Sequence, residues 1–144
     1  NNDEKAAFYK NKILKEFPNS EYAKIIINPD YFKDIYSEKS KAEDLYKATY
    51  KLFQAQQFPS VIYNCTSSDS IFRGNYLSPK YHFLKALAIG KSSPADSSGS
   101  PDFTGFEIAL KEVIAKHPKD EVAAEAQKII DLINKKQPVE QKLD

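Results

Sequence analysis

Ile13-Leu14-Lys15-Glu16-Phe17-Pro18-Asn19-Ser20-Glu21-Tyr22-Ala23 and Val113-Ile114-Ala115-Lys116-His117-Pro118-Lys119-Asp120-Glu121-Val122-Ala123 are one phrase written twice, once near each end of the chain. Each copy reads as a helix end, a proline, two polar residues, then an acidic helix start leading into alanine. Pro18 and Pro118 lack the amide a continuing helix needs, and each pushes the residue before it out of helical geometry. Asp120 suits the cap of the helix that follows, its carboxylate free to accept from an open backbone amide, and Ser20 begins the corresponding segment. A tight link between two helices, repeated, calls for a search for helical repeats.

Working outward from these turns, Ala6, Tyr9, Ile13 and Phe17 fall on one stripe at helical spacing, predicting a helix from about Asp3, its N-cap, to Phe17. A short helix over 20–27 is closed by Asn28-Pro29; Ile25-Ile26-Ile27 has strand-like residues but no evident pairing partner. Residues 30–36 read as another helical turn or two. Ser40-Lys41-Ala42-Glu43 has the form of a capping box, so a new helix is expected there, running to about Gln56 with Ala42, Leu45, Thr49, Leu52 and Phe53 on one face. Pro59 suits the first turn of the next helix, which is expected to end near Cys65, leaving polar residues 66–75 as a connection. Ser78 as N-cap, Pro79 at the first helical position and Gly90 just past the end frame a helix whose apolar face is Tyr81, Leu84, Leu87 and Ala88. The Ser/Pro/Gly-rich segment around 91–103 is too polar to join a core and is expected as a mobile insertion. Helix returns at Asp102 or Thr104, runs to His117, and resumes after Asp120 to about Gln137; residues 138–144 are expected as a disordered tail. The expectation is an all-α chain, with residues 1–137 as one helical repeat domain of antiparallel pairs.

Composition narrows the function. The 144 residues are 41% hydrophobic, enough for a core, and only four are Gly, which disfavours turn-rich β architectures. Twenty-one basic against 20 acidic residues leave a net charge of +1, which gives no long-range pull on nucleic acid or an anionic membrane, so neither is expected as a partner. No apolar run approaches the roughly 18 residues needed to span a bilayer. The chain opens Asn1-Asn2-Asp3-Glu4-Lys5 without a Met or a targeting signal, and is expected to be a piece of something longer.

A second match sets Gln57-Phe58-Pro59-Ser60-Val61-Ile62 against Gly105-Phe106-Glu107-Ile108-Ala109-Leu110. Gly-aromatic-x-x-Ala at the turn between paired helices, with proline closing the second, resembles the tetratricopeptide repeat. The resemblance implies a short right-handed solenoid of two to three degenerate repeats. Phe58 and Phe106 would be its turn aromatics, and Val61 and Ala109 would take the small position. Gln57 departs from the glycine of the motif, and the insertion at 91–103 interrupts a pair. Phe17-Pro18-Asn19-Ser20-Glu21-Tyr22-Ala23-Lys24, Asn28-Pro29-Asp30-Tyr31, Ala42-Glu43-Asp44-Leu45-Tyr46 and Ser78-Pro79-Lys80-Tyr81-His82-Phe83-Leu84-Lys85-Ala86-Leu87-Ala88-Ile89-Gly90 are also similar to repeat segments of Bacteroidetes gliding-motility and type IX secretion lipoproteins. That similarity implies a scaffold at the periplasmic face of the outer membrane, part of a larger lipoprotein that supports protein export.

Chemistry-bearing residues are sparse. Cys65, His82 and His117 have no paired spacing for a metal, so no metal or cofactor is expected. The surroundings of Cys65 offer nothing to activate a thiolate, and it reads as a small buried hydrophobe. Asn64-Cys65-Thr66 matches a glycosylation acceptor only formally. An enzyme is not expected. Glu43, Tyr46, Tyr50 and Phe53, spaced three and four apart, share one helix stripe. In a tetratricopeptide array that stripe would line a protein-binding groove, with Lys80 and Lys85 as a cationic rim; core packing against the next helix explains the same spacing. The expected partners are other proteins, self-association being the second possibility.

Overall fold

The computed structural model describes residues 2–136, so Gln137 and the expected tail at 138–144 lie outside the described residues. Seven helices follow one another: α1 (Asn2–Glu16), α2 (Glu21–Ile27), α3 (Tyr31–Gln54), α4 (Phe58–Ile71), α5 (Ser78–Lys91), α6 (Thr104–Lys116) and α7 (Glu121–Lys136). Among the described residues there is no strand, only an isolated bridge between Ala95 and Pro101, so the all-α expectation holds. Residues 1–137 are expected as one domain; the structure divides into two compact units between Lys41 and Ala42.

The twin phrases make the same turn. Phe17 N donates to Ile13 O at 2.8 Å and Ser20 N to Phe17 O at 3.1 Å, just as His117 N donates to Val113 O at 2.9 Å and Asp120 N to His117 O at 3.1 Å. The Ser20 hydroxyl then accepts from Ala23 N at 3.1 Å, and an Asp120 carboxylate oxygen from Val122 N at 3.1 Å. Each cap satisfies a donor that a helix start otherwise leaves open.

In the first unit, α1 packs on α2, yet Ala23 is the only buried residue among the described positions 2–41. Ala6, Tyr9 and Ile13 of the stripe lie on α1 and Phe17 just beyond its end, and no residue of α1 is buried.

In the second unit the helices build two apolar clusters. The first gathers Ala42, Val61, Cys65, Phe72, Leu77, Tyr81, Leu84 and Ala88, with Leu45, Tyr46, Leu52, Phe53 and Phe58 against it. The second gathers Ala86, Leu110, Val113, Val122, Ala126, Ile130 and Ile133, with Phe83, Phe103 and Phe106 at its edge. Helix α5 serves both because Leu84 and Ala88 point one way and Ala86 the other.

Five local expectations are corrected. Asp3 lies in the first turn of α1 rather than capping it. No helix starts at Ser40: α3 runs unbroken through the Ser40–Glu43 box, because nothing between Tyr36 and Ala42 interrupts the backbone and extending a helix is easier than nucleating one. Helix α4 does not stop at Cys65 but continues to Ile71. Its polar residues do not end it: Thr66 donates to Ile62 O at 2.8 Å and Ser67 to Tyr63 O at 2.9 Å, so the hydroxyls bond within the helix rather than capping a terminus. Ser78 is the first residue of α5 rather than its cap, and Leu77 stands at the cap position with its amide held by Asn75 Oδ1 at 2.9 Å. Gly90 lies inside the last turn of α5 rather than beyond it.

The segment between α5 and α6 closes on itself. One Asp96 carboxylate oxygen accepts from the amides of Ser98 and Ser100 and from the Ser98 hydroxyl, and Asp102 N donates to Pro94 O at 2.8 Å. The Ser98 hydroxyl, with these amides, holds the Asp96 carboxyl below its ordinary range.

The α3–α4 turn shows where the glycine of the repeat motif is wanted. Gln56 adopts φ 59°, a left-handed conformation, while its amide donates to Phe53 O at 3.0 Å and that of Gln57 to Leu52 O at 2.9 Å. This is a Schellman closure with Gln where glycine is preferred, one residue before the position the repeat alignment marks. Gln56→Gly is expected to stabilise the chain by about 0.5–1 kcal/mol by relieving the Cβ conflict of that conformation. Urea unfolding of both proteins checks it: an unchanged or lower midpoint would mean the Gln side chain makes a compensating contact.

Candidate functional site

The stripe chosen on α3 divides between core and surface. Tyr46 is half-buried and meets Tyr81 edge-on, ring centroids 5.3 Å apart. Burial, reinforced by Cys65 and Tyr50, raises its hydroxyl above the ordinary range. Phe53 is half-buried, edge-on to Phe58 at 5.6 Å and stacked with Tyr50 at 6.4 Å. Tyr50 itself remains 46% exposed. Glu43 is half-buried and accepts a hydrogen bond from the Tyr76 hydroxyl, which that bond holds above its usual range. Lys80 is exposed on α5, whereas Lys85 is half-buried beside a cavity of about 30 Å³ between α5 and α6, lined also by His82 and Glu112. Tyr50 and Lys80 are thus the exposed members of the six; Tyr46 and Phe53 contribute to the first apolar cluster.

Cys65 is wholly buried on α4, and burial pushes its thiol up to about 12, with Lys85 opposing and Asp69 adding to the rise. A thiol so placed stays protonated at neutral pH.

Distant sequence positions bring His82 and His117 together. His82 Nε2 stands 2.9 Å from the Asp69 carboxylate, and His82 Nδ1 stands 2.6 Å from His117 Nε2. The rings stack at 29° with centroids 4.9 Å apart. Asp69 comes from α4, His82 from α5, and His117 closes the C-terminus of α6. Residue type alone offered the sequence reading both histidines, but 34 residues lie between them and no local spacing signals their meeting.

A metal fits this trio poorly. Two ligands of one tetrahedral ion, at metal–nitrogen distances of about 2.0–2.1 Å, stand roughly 3.3–3.4 Å apart, whereas these nitrogens are at hydrogen-bond distance. Asp69 is on the opposite nitrogen of His82, so it cannot join them around one ion. Among the described residues no group of three or more His, Cys, Asp or Glu converges to hold a metal. Nor is any helix among them long and apolar enough to cross a membrane.

Fold and site together describe an all-helical chain with a partly open aromatic surface and one buried-edge histidine pair. Compared with protein-family models, with curated proteins and with solved structures, the chain has no match.

Proposed function

We propose that this chain is a non-catalytic protein-binding scaffold whose second unit stacks its helix pairs as a short, right-handed, tetratricopeptide-like solenoid. The stacking is supported by the neighbours of α5, which touches α4 and α6 on either side and also reaches α7 and, through Tyr81, α3. Contacts between alternate helices are what a solenoid of helix pairs requires. Phe106 supports the repeat reading too: its ring packs so closely on Gly90 that a β-carbon there would stand 2.7 Å away.

The observation that carries protein binding is apolar surface left open. In the first unit Phe8, Tyr9, Phe17 and Tyr22 are 63, 60, 60 and 72% exposed, and in the second unit Tyr50 faces solvent. Isolated exposed apolar side chains are ordinary, but a helix that buries none of its residues while carrying an apolar stripe is a surface for a partner. The resemblance to gliding-motility and type IX secretion lipoproteins supports reading that work as one done at the periplasmic face of the bacterial outer membrane, within a larger protein.

A second reading, a structural spacer that self-associates, is favoured by one contrast. The Ala6–Phe17 stripe is open, whereas Val122, Ala126, Ile130 and Ile133 of α7 are covered. An apolar stripe left uncovered in the first unit is a surface that a second copy of the chain can cover.

The two readings separate in one experiment, capture from an envelope extract alongside sedimentation of the pure chain over a concentration series. Tyr50→Ala and Phe8→Ser/Phe17→Ser are the variants, since both alter exposed side chains; Tyr46 is avoided because its ring packs on Tyr81. A partner lost on Tyr50→Ala, at roughly 2 kcal/mol of binding for an anchoring tyrosine, supports the scaffold. Concentration-dependent dimers abolished by Phe8→Ser/Phe17→Ser support the spacer. A monomer that captures nothing overturns both.

A further inference from the structure

We propose that Asp69, His82 and His117 form a proton-counting latch, which holds the corner between α6 and α7 against α5 at neutral pH and releases it in acid. The geometry fixes where the protons are. A carboxylate on His82 Nε2 at 2.9 Å requires a proton on that nitrogen. When each ring carries a single proton, His82 Nδ1 is then a lone-pair acceptor, and His117 Nε2, 2.6 Å away, donates to it. Both imidazoles are therefore Nε2–H tautomers, linked in series to Asp69.

The series tolerates one more proton and no further. An extra proton on either ring leaves one N–H···N bond between them: on His117 it sits at the outer Nδ1, and on His82 it sits at Nδ1 and donates to a lone pair of His117 Nε2. A second leaves an N–H on both facing nitrogens, head to head where a 2.6 Å contact existed. Two imidazolium rings cannot keep that approach, so the contact opens. The surroundings do not rescue it. Asp69 faces the pair from α4, Lys85 from α5, Glu112 and Lys116 from α6, and Lys119 and Asp120 from the turn beyond. Three carboxylates stand against three ammonium groups, and Glu112 is already paired with Lys116 at 2.7 Å. No surplus negative charge is left for two new cations.

The direction of linkage agrees. Burial first, then His82, hold His117 below the ordinary histidine range, with Asp120 opposing. A base so depressed binds fewer protons folded than unfolded. Its contribution to stability is therefore present above the unfolded value of about 6.5 and is lost as pH falls below it. Release stays local, because Leu110, Val113, Val122 and Ala126 keep α6 and α7 together.

The test uses the full chain, following the side-chain nitrogens of both histidines by NMR from about pH 7.5 to about pH 4.5, the range in which histidine pairs switch. Amide exchange at Asp120, Val122 and Ala123, whose hydrogen bonds form the turn, is followed in parallel. The expected result is a single proton between the two facing nitrogens at neutral pH, two separated titration steps, and roughly tenfold faster exchange accompanying only the second. His117→Gln, whose amide keeps donating to His82 but does not titrate, should abolish the acid-induced exchange. Protons on both facing nitrogens at neutral pH, a single shared step, or exchange that follows only its intrinsic pH dependence would each overturn the latch. The first three readouts come from the unmodified chain, so they decide the matter even if the variant does not fold.

Discussion

Tyr81→Ala should lower the stability of the chain by about 3–5 kcal/mol, the largest effect of any single substitution considered. Tyr81 is 1% exposed on α5, sits within the first apolar cluster and donates its hydroxyl to Ala42 O at 2.7 Å. Its ring is also the partner of Tyr46. One residue thus ties α3 to α5 across the intervening α4. Truncation removes a large buried side chain and leaves a cavity that rigid neighbouring helices cannot close. Against a total stability of typically 5–15 kcal/mol for such a chain, that loss is decisive. Tyr81→Phe isolates the hydroxyl and should cost about 1 kcal/mol. Urea unfolding of the three proteins at neutral pH is the measurement. A loss under about 1 kcal/mol for Tyr81→Ala would mean that α3 and α5 are not held together through this ring.

Gly90→Ala is the second. In an ordinary helix interior it should stabilise by about 0.5–1 kcal/mol, because glycine loses more backbone freedom on folding. Here the sign is expected to reverse. The new β-carbon would stand 2.7 Å from three carbons of the Phe106 ring, and Phe106 is itself held against the second apolar cluster. Overpacking of this kind costs typically 1–3 kcal/mol, enough to exceed the helix-propensity gain. Thermal unfolding decides between the two: a raised melting temperature would show that Phe106 swings aside and that α5 and α6 do not need this close approach. Phe106→Leu in the Gly90→Ala background should recover part of the loss, since a smaller, more flexible side chain can yield to the methyl group.

Much of the helix order could be read directly. Pro18 and Pro118 mark helix ends by removing an amide, Ser20 and Asp120 mark starts by supplying an acceptor, and both turns form as their residues require. Signals of that kind act within a few residues and need no tertiary partner. Where the reading failed, a local signal was outweighed by another. The Ser40–Glu43 box lies within a continuous helix because a cap is useful only where the helix has a reason to begin. The polar run after Cys65 stayed helical, its hydroxyls bonding the carbonyls one turn back instead of capping a terminus.

The candidate binding stripe was legible only as a stripe. Helical spacing puts Glu43, Tyr46, Tyr50 and Phe53 on neighbouring positions, but it cannot say which edge of that face meets another helix. Tyr81 answers for Tyr46, Phe58 for Phe53 and Tyr76 for Glu43, leaving Tyr50 open. Gly90 is a similar case: as a letter near a helix end it suggests a terminus, and only the approach of Phe106 reveals a need for the missing side chain.

By itself, then, the sequence determined that this chain is helical and where most helices start and stop, because prolines, caps and apolar periodicity exert their effects along the backbone. Which aromatic faces are covered, why Gly90 carries no side chain, and that Asp69, His82 and His117 form one hydrogen-bonded series were decided by tertiary structure, because each depends on groups that come within bonding distance only when separate helices pack.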